Sequence, residues 1–232
     1  MEAKSNLFIS TLRALQKAGV LNEIILVGSW CHYFYRIYFD NSPEIPVVRT
    51  LDIDFLIPNP PIIKKETDIP KILKTLDFRP VHNYPSGYTK YVHPELELEF
   101  LTPELGRGKS DKPYEISKLH INAQGLRYLN LLQSHTIKAK SEDVKVILPE
   151  PAAYVLHKFI VFERRKKEEK MIRDLKAAKE IGEFLLKKAS QRKKLKLVFR
   201  SLPKKWQKKI VKNTKDKSPL LFDFLNKLDN NS

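Results

Sequence analysis

Two stretches decide how this chain reads: Ile24-Ile25-Leu26-Val27-Gly28-Ser29-Trp30 and Arg49-Thr50-Leu51-Asp52-Ile53-Asp54-Phe55-Leu56-Ile57. The first has the pattern of a buried strand that runs into a Gly-Ser turn and then a helix. The second has the pattern of a buried strand carrying two aspartates two residues apart. Strand alternation puts Asp52 and Asp54 on one face, roughly 7 Å apart at the backbone, and Leu51, Ile53 and Phe55 on the other. Carboxylates this close repel, and burying them unpaired is costly. A divalent cation removes the conflict. Gly28 lets a phosphate approach the backbone, the free amides of a helix start favour an anion, and Ser29 adds a hydroxyl.

A third carboxylate is sought on a neighbouring strand. Glu95-Leu96-Glu97-Leu98-Glu99-Phe100-Leu101-Thr102-Pro103 alternates strictly, so Glu95, Glu97 and Glu99 share one face. That face is either a solvated strand edge or the source of the third carboxylate. Between the two aspartates and the Gly-Ser turn, Asp40-Asn41-Ser42-Pro43-Glu44-Ile45-Pro46 reads as an inserted loop.

The rest of the first 149 residues reads as mixed α and β. A helix is expected over 4–18, with Gly19 as its stop, a strand over 23–27 and an aromatic-rich helix from Ser29 to about Phe39. A short helix opens at Asp68 with Pro70 in its first turn. Strands are expected near 78–83, 88–93, 134–140 and 144–148. Gly106-Arg107-Gly108-Lys109-Ser110-Asp111-Lys112-Pro113 is a polar loop without the spacing of a phosphate-binding loop. Pro149-Glu150-Pro151 marks the domain boundary, giving domains of 1–149 and 150–232.

Beyond it, helices are expected over 152–163, 166–188, 190–200, 203–212 and 218–228. Met171, Leu175, Ala178 and Leu185 form the apolar stripe of the second, and Pro203 and Pro219 are placed at first helical positions. Charge shifts at the same boundary. Of the net +16, residues 151–232 carry +15, with 24 Lys and Arg against 9 Asp and Glu, while the other 150 residues are nearly balanced. Lys187 to Lys212 holds twelve cations and no acid. Such asymmetry suggests a polyanionic partner, nucleic acid first, with Lys193, Lys194, Lys196, Arg200, Lys204, Lys205 and Lys208 as the candidate contacts. No apolar run approaches a membrane span, and the N-terminus lacks a signal peptide's apolar core. The single cysteine, Cys31, excludes an intramolecular disulfide and a cysteine-built zinc site, so a reducing cytoplasm is the expected compartment.

Taken in order, Leu-Val-Gly-Ser, Arg-Thr-x-Asp-Ile-Asp, Glu-Phe-Leu-Thr-Pro, Gly-Leu-Arg-Tyr-Leu, then Pro-x-Pro, His157-Lys158-Phe159, Arg164-Arg165, Lys170 and Arg173-Asp174-Leu175-Lys176-x-Ala178 resemble a family of stand-alone prokaryotic nucleotidyltransferase-fold proteins. These belong to the polymerase-beta-like superfamily and are related to abortive-infection toxin nucleotidyltransferases. The resemblance implies an α+β protein: an N-terminal nucleotidyltransferase domain with a mixed sheet, then a basic all-helical domain. It implies Gly28 and Ser29 at the nucleotide-phosphate turn, Asp52 and Asp54 as metal-binding carboxylates, and Glu99 rather than Glu97 as the third, where relatives more often have Asp. Lys158, Arg165, Lys170 and Asp174 match a charged nucleotide-binding cluster on the helical domain.

The expected function is transfer of a nucleoside monophosphate from an NTP, with Mg²⁺ or Mn²⁺, to an acceptor hydroxyl. RNA such as tRNA is the expected acceptor, and an antitoxin is a further partner under the toxin reading. Two alternatives stay open: a weakly active or inactive nucleic-acid-binding module on the same fold, and a metal-dependent nuclease. A nuclease has no need of a triphosphate cradle, which argues against the second.

Overall fold

The computed structural model describes residues 2–46, 50–84, 86–104, 112–164 and 168–230, with 2–5, 164, 170 and 230 described by backbone alone. Chain contacts divide it into two compact units. One comprises Met1–Tyr38 and Val47–Pro149, the other Phe39–Pro46 and Glu150–Ser232.

The first unit is built on a mixed sheet. Its strands are β1 (Ile25–Val27), β2 (Asp52–Leu56), β3 (Arg79–Asn83), β4 (Tyr88–Val92), β5 (Glu97–Pro103), β6 (Tyr114–Ile116), β7 (Ile121–Leu126), β8 (Thr136–Ser141) and β9 (Val144–Pro149). The order is β3-β4-β5-β2-β1-β9-β8. β2 runs antiparallel to β1 and parallel to β5, so β1 and β5 flank the Asp-Ile-Asp segment. The far edge of β5 is shared: Glu97 and Leu98 pair with β4, and Leu101 to Pro103 pair with β7. Hydrophobic alternation explains the central register. Ile53, Phe55, Leu98 and Phe100 are fully buried on one face, where the Phe55 and Phe100 rings stack 6.0 Å apart. Leu51, expected with them, is 43% exposed because it precedes the first paired residue.

Four helices belong to this unit: α1 (Glu2–Lys17), α2 (Cys31–Tyr38), α3 (Ile69–Lys74) and α4 (Leu129–Ser134). Phe8, Leu12 and Leu15 of α1 are fully buried, and Phe8 stacks on Trp30 at 3.7 Å. Arg13 is paired with Glu142 and Asp143 in the β8–β9 turn. The Asp68 carboxylate accepts a bond from the Lys71 N–H at 2.9 Å and so caps α3, the role its position predicts. The sequence places further short elements over 118–148 without delimiting β7 and α4, and β6 precedes that span. Ile121-Asn-Ala-Gln-Gly-Leu126 alternates only as far as Gln124, with one small alanine and then a glycine on its inner face, and α4 is too short to show a helical period.

The second unit holds α5 (Pro151–Val161), α6 (Glu168–Lys187), α7 (Ala189–Ser201), α8 (Lys204–Thr214) and α9 (Pro219–Asn230). α5 is buried nearly all round, His157 and Lys158 included, and packs against α6, α7 and α8, as a central helix must. The buried stripe of α6 is Asp174, Ala177, Ala178, Ile181, Phe184 and Leu185. Met171 and Leu175 are only half-buried, so the expected stripe was out of phase at its start. Pro203 is the residue before α8 and not its first turn, held in an extended conformation by ψ 141. The segment read as an inserted loop of the first domain packs here instead: Ile45 is buried, and the Phe39 ring lies 4.9 Å from that of Phe184. Among the described residues no helix is long and apolar enough to cross a membrane. The polar loop at 106–113 lies outside the described residues up to position 111.

Candidate active site

β1 ends at Val27, and the chain turns at once. Gly28 adopts φ +76, a conformation L side chains avoid, and Gly28–Trp30 form one 3₁₀ turn before α2 begins at Cys31. The helix start is therefore two residues later than the Ser29 expected from the sequence. The glycine is required for a second reason. A Cβ at position 28 would fall inside contact distance of Asp54 Oδ2, so the carboxylate lies against the bare Cα. Register explains the approach, because Val27 is paired with Asp54. Gly28 and Asp54 are thus neighbours in space, 26 positions apart in the chain.

The parallel β2–β5 register then builds a ladder of acids. Asp52 is paired with Glu97, and Asp54 with Glu99. All four are half-buried on the face opposite Ile53 and Leu98. Like charges directly opposite one another destabilise a sheet. Lys90 of β4 supplies a counter-charge: its Nζ contacts Glu99 Oε1 and lies 3.8 Å from Glu97 Oε2. Burial pulls the Lys90 ammonium down, but Glu99, Glu97 and Asp52 outweigh it and leave the group above its ordinary value. Tyr88, two residues earlier on β4, is buried with its hydroxyl donating to the Phe100 carbonyl at 3.2 Å. Burial, followed by the charges of Glu99 and Asp54, holds that phenol protonated well beyond its usual range.

Of the expected third carboxylates, Glu99 has the less exposed side chain, 16% against 37% for Glu97, and is the partner of Asp54. Glu95 lies outside β5, its N–H bonded to His93 Nδ1. Among the described residues no group of three or more His, Cys, Asp or Glu is gathered to hold a metal ion.

In the helical unit, Lys158 of α5 and Asp174 of α6 form an ion pair at 2.8 Å, with side chains only 6% and 9% exposed. Lys158 Nζ also lies 5.3 Å from the Tyr154 ring centroid. The structure thus joins two of the four residues of the expected charged cluster. Arg165 lies outside the described residues, and Lys170 is placed on α6 by its backbone alone.

The basic run resolves into two classes. Lys193, Lys196 and Arg200 on α7 and Lys204, Lys205 and Lys208 on α8 are exposed. Lys194, grouped with them on sequence grounds, is half-buried and paired with Glu150 at 3.3 Å. Lys209 meets Glu163 at 3.5 Å, and Lys187 meets Glu44. A run with no acid in its own sequence is therefore partly neutralised from distant positions.

A family model described as nucleotidyltransferase matches residues 6–202 of this chain. The chain belongs to that nucleotidyltransferase family. The nucleotidyltransferase also resembles the crystal structure of an antigenic nucleotidyltransferase-like protein from Paracoccidioides brasiliensis. The TM-score is 0.50 and the identity 14%, over 95% of this chain and 91% of that one. At such identity the likeness shows the fold alone. No curated protein matches the chain.

Asp52, Asp54, Glu97 and Glu99 offer acidic oxygens on one face of two paired strands, beside a turn stripped of its Cβ, and oxygens of this kind are what a hard divalent cation takes. Lys90 and Tyr88 were not singled out from the sequence. Tyr88-Thr-Lys90 alternates like any strand, and only the β4–β5 pairing shows that its polar face meets the acids.

Proposed function

We propose that this nucleotidyltransferase moves a nucleoside monophosphate from an NTP to the hydroxyl of an RNA acceptor, such as tRNA, using Mg²⁺ or Mn²⁺. The carrying observation is the packing of Asp54 against Gly28, which joins the carboxylate ladder to the phosphate turn. Asp52 and Asp54 hold the cation, with Glu99 as the third carboxylate of the set. A bound cation would supply charge neutralisation for the triphosphate and make the acceptor hydroxyl a stronger acid. The Gly28 and Ser29 amides and the Ser29 hydroxyl receive triphosphate oxygens. Lys158, Arg165, Lys170 and Asp174 are the nucleotide-binding residues of the helical unit, a role that rests on the family resemblance. In the transfer, the acceptor oxygen bonds to the α-phosphorus, the bond to the bridging oxygen breaks and pyrophosphate leaves. The acceptor's proton passes to Glu99 or Asp52.

The exposed cations Lys193, Lys196, Arg200, Lys204, Lys205 and Lys208 support a polyanionic acceptor. The resemblance to a family related to abortive-infection toxin nucleotidyltransferases extends the reading to a toxin held by an antitoxin, in the cytoplasm. The deciding experiment mixes the protein with total RNA, Mg²⁺ and each labelled NTP in turn, beside an Asp52→Ala/Asp54→Ala control. Label in a discrete RNA band, absent from the control, is the expected result. RNA that shortens instead would replace transfer by hydrolysis.

A further inference from the structure

We infer, on the transfer reading above, that the sheet face beyond the acids, from Lys90 of β4 to Arg79 and Val81 of β3, receives the reacting end of the acceptor: a single-stranded nucleic-acid terminus bearing the hydroxyl. Strand register carries both acid rungs outward. Asp52 and Glu97 are followed by Val92 and then Arg79, each paired with the one before. Beside them the Lys90 ammonium contacts Glu99, and Lys90 is paired with Val81. Paired residues share a face, so Arg79 and Val81 lie on the face of the carboxylates. That end of the face is open: Arg79 is exposed, Val81 is 50% exposed and Val92 is half-buried. β3 ends the strand order, and Pro80 within it argues against a further strand on this edge. The face, and not the edge, is the surface on offer.

Chemistry selects the occupant. In transfer, the acceptor oxygen and the departing pyrophosphate stand roughly in line on opposite sides of the phosphorus. The turn at Gly28 and Ser29, given above to the triphosphate, adjoins β2 from the β1 side. An acceptor opposite to it comes in over β5 and β4. Glu97 and Glu99 repel a polyanion there, and Lys90 and Arg79 offset them. Two strand spacings put Arg79 about 10 Å from Glu97 at the backbone. That suits the first phosphodiester behind a terminal hydroxyl better than the hydroxyl itself, and a guanidinium is matched to a phosphate in shape and charge. Val81 and Val92 give the sugar and base an apolar floor. A polypeptide acceptor has no phosphodiester for Arg79 to meet.

The test uses the full-length protein, labelled NTP and the RNA species that takes label in the transfer experiment, purified from the gel. Arg79→Ala is expected to raise KM for that RNA about tenfold while kcat and KM for the NTP stay within about twofold, and Arg79→Lys to restore most of the loss. A fault of folding would lower kcat or weaken NTP binding as well. Photo-reactive benzoylphenylalanine in place of Val81 is expected to crosslink to the hydroxyl-terminal nucleotides of the RNA. The same residue in place of Lys138 of β8, at the opposite edge of the sheet, is expected to crosslink to none. Unchanged KM for RNA in Arg79→Ala would overturn the inference, as would crosslinks from position 81 to interior nucleotides alone. Label that enters a protein and no RNA would overturn it while leaving a transferase standing. No label from any NTP would remove the transfer reading itself, and this inference with it.

Discussion

Gly28 carries two constraints that a side chain cannot meet together. Its φ of +76 disfavours any L residue, and the Asp54 carboxylate fills the space a Cβ would take. Gly28→Ala is therefore expected to destabilise the fold by about 1–2 kcal/mol from backbone strain alone. It is also expected to push Asp54 from its place, so that nucleotide transfer falls by about a hundredfold or more. Urea unfolding and single-turnover transfer measure the two effects separately. Lys158 and Asp174 pose the opposite case, a buried ion pair. Removing one charge from a buried pair costs up to about 3–5 kcal/mol, whereas replacing both with apolar groups costs far less. Lys158→Met is expected to be the more damaging variant and Lys158→Met/Asp174→Leu to recover at least half of the loss, as judged by denaturant midpoints.

The β4 strand joins site and core through its two faces. Tyr88 and Lys90 face the acids, while Tyr91 packs edge-on against Phe100 at 6.1 Å. Burial, then the charge of Asp68, pushes the Tyr91 phenol up to about 12, and Tyr88 moves in the same direction. A phenol raised in the folded state contributes stability that is fully present below its unfolded value of about 10 and is lost as pH rises toward the folded value. Stability should therefore fall between about pH 10 and about pH 12. Tyr91→Phe should flatten that fall while lowering stability little at neutral pH. Urea midpoints across the alkaline range, with phenolate absorbance as the second probe, test both points. On the acid side, Asp143 is held low first by its bond from Arg13. Its contribution is present above the ordinary carboxylate value and disappears as pH falls through the lowered one.

For the molecule as a whole, charge is placed rather than spread. Nearly all of the net +16 lies in residues 151–232, and its exposed cations sit on α6, α7 and α8 and on the segments that follow them. If RNA is the acceptor, each of Lys193, Lys196, Arg200, Lys204, Lys205 and Lys208 that meets a phosphate releases a counterion. Replacing one with alanine should shrink the slope of log K against log salt by about 0.7. Lys194→Ala should leave that slope unchanged and lower stability slightly, because its charge serves Glu150. Salt titrations of RNA binding distinguish the two classes.

Much of the protein was legible before any coordinates. Alternation announced β2 and β5, the Gly-Ser pair announced the turn between β1 and α2, and the Pro-Glu-Pro step coincided with the charge shift. These signals are local, carried by residue type and period over a few positions. The Asp52 and Asp54 pair needed no more than that to stand out. What the sequence could not show is which distant groups meet. That Glu99 stands beside Asp54, that Lys90 answers it, and that Glu150, Glu163 and Glu44 neutralise part of the basic run all depend on strand register and helix packing. Those are set by burial of faces across the whole chain, so two acids of the same alternating strand look alike until a neighbouring strand chooses between them.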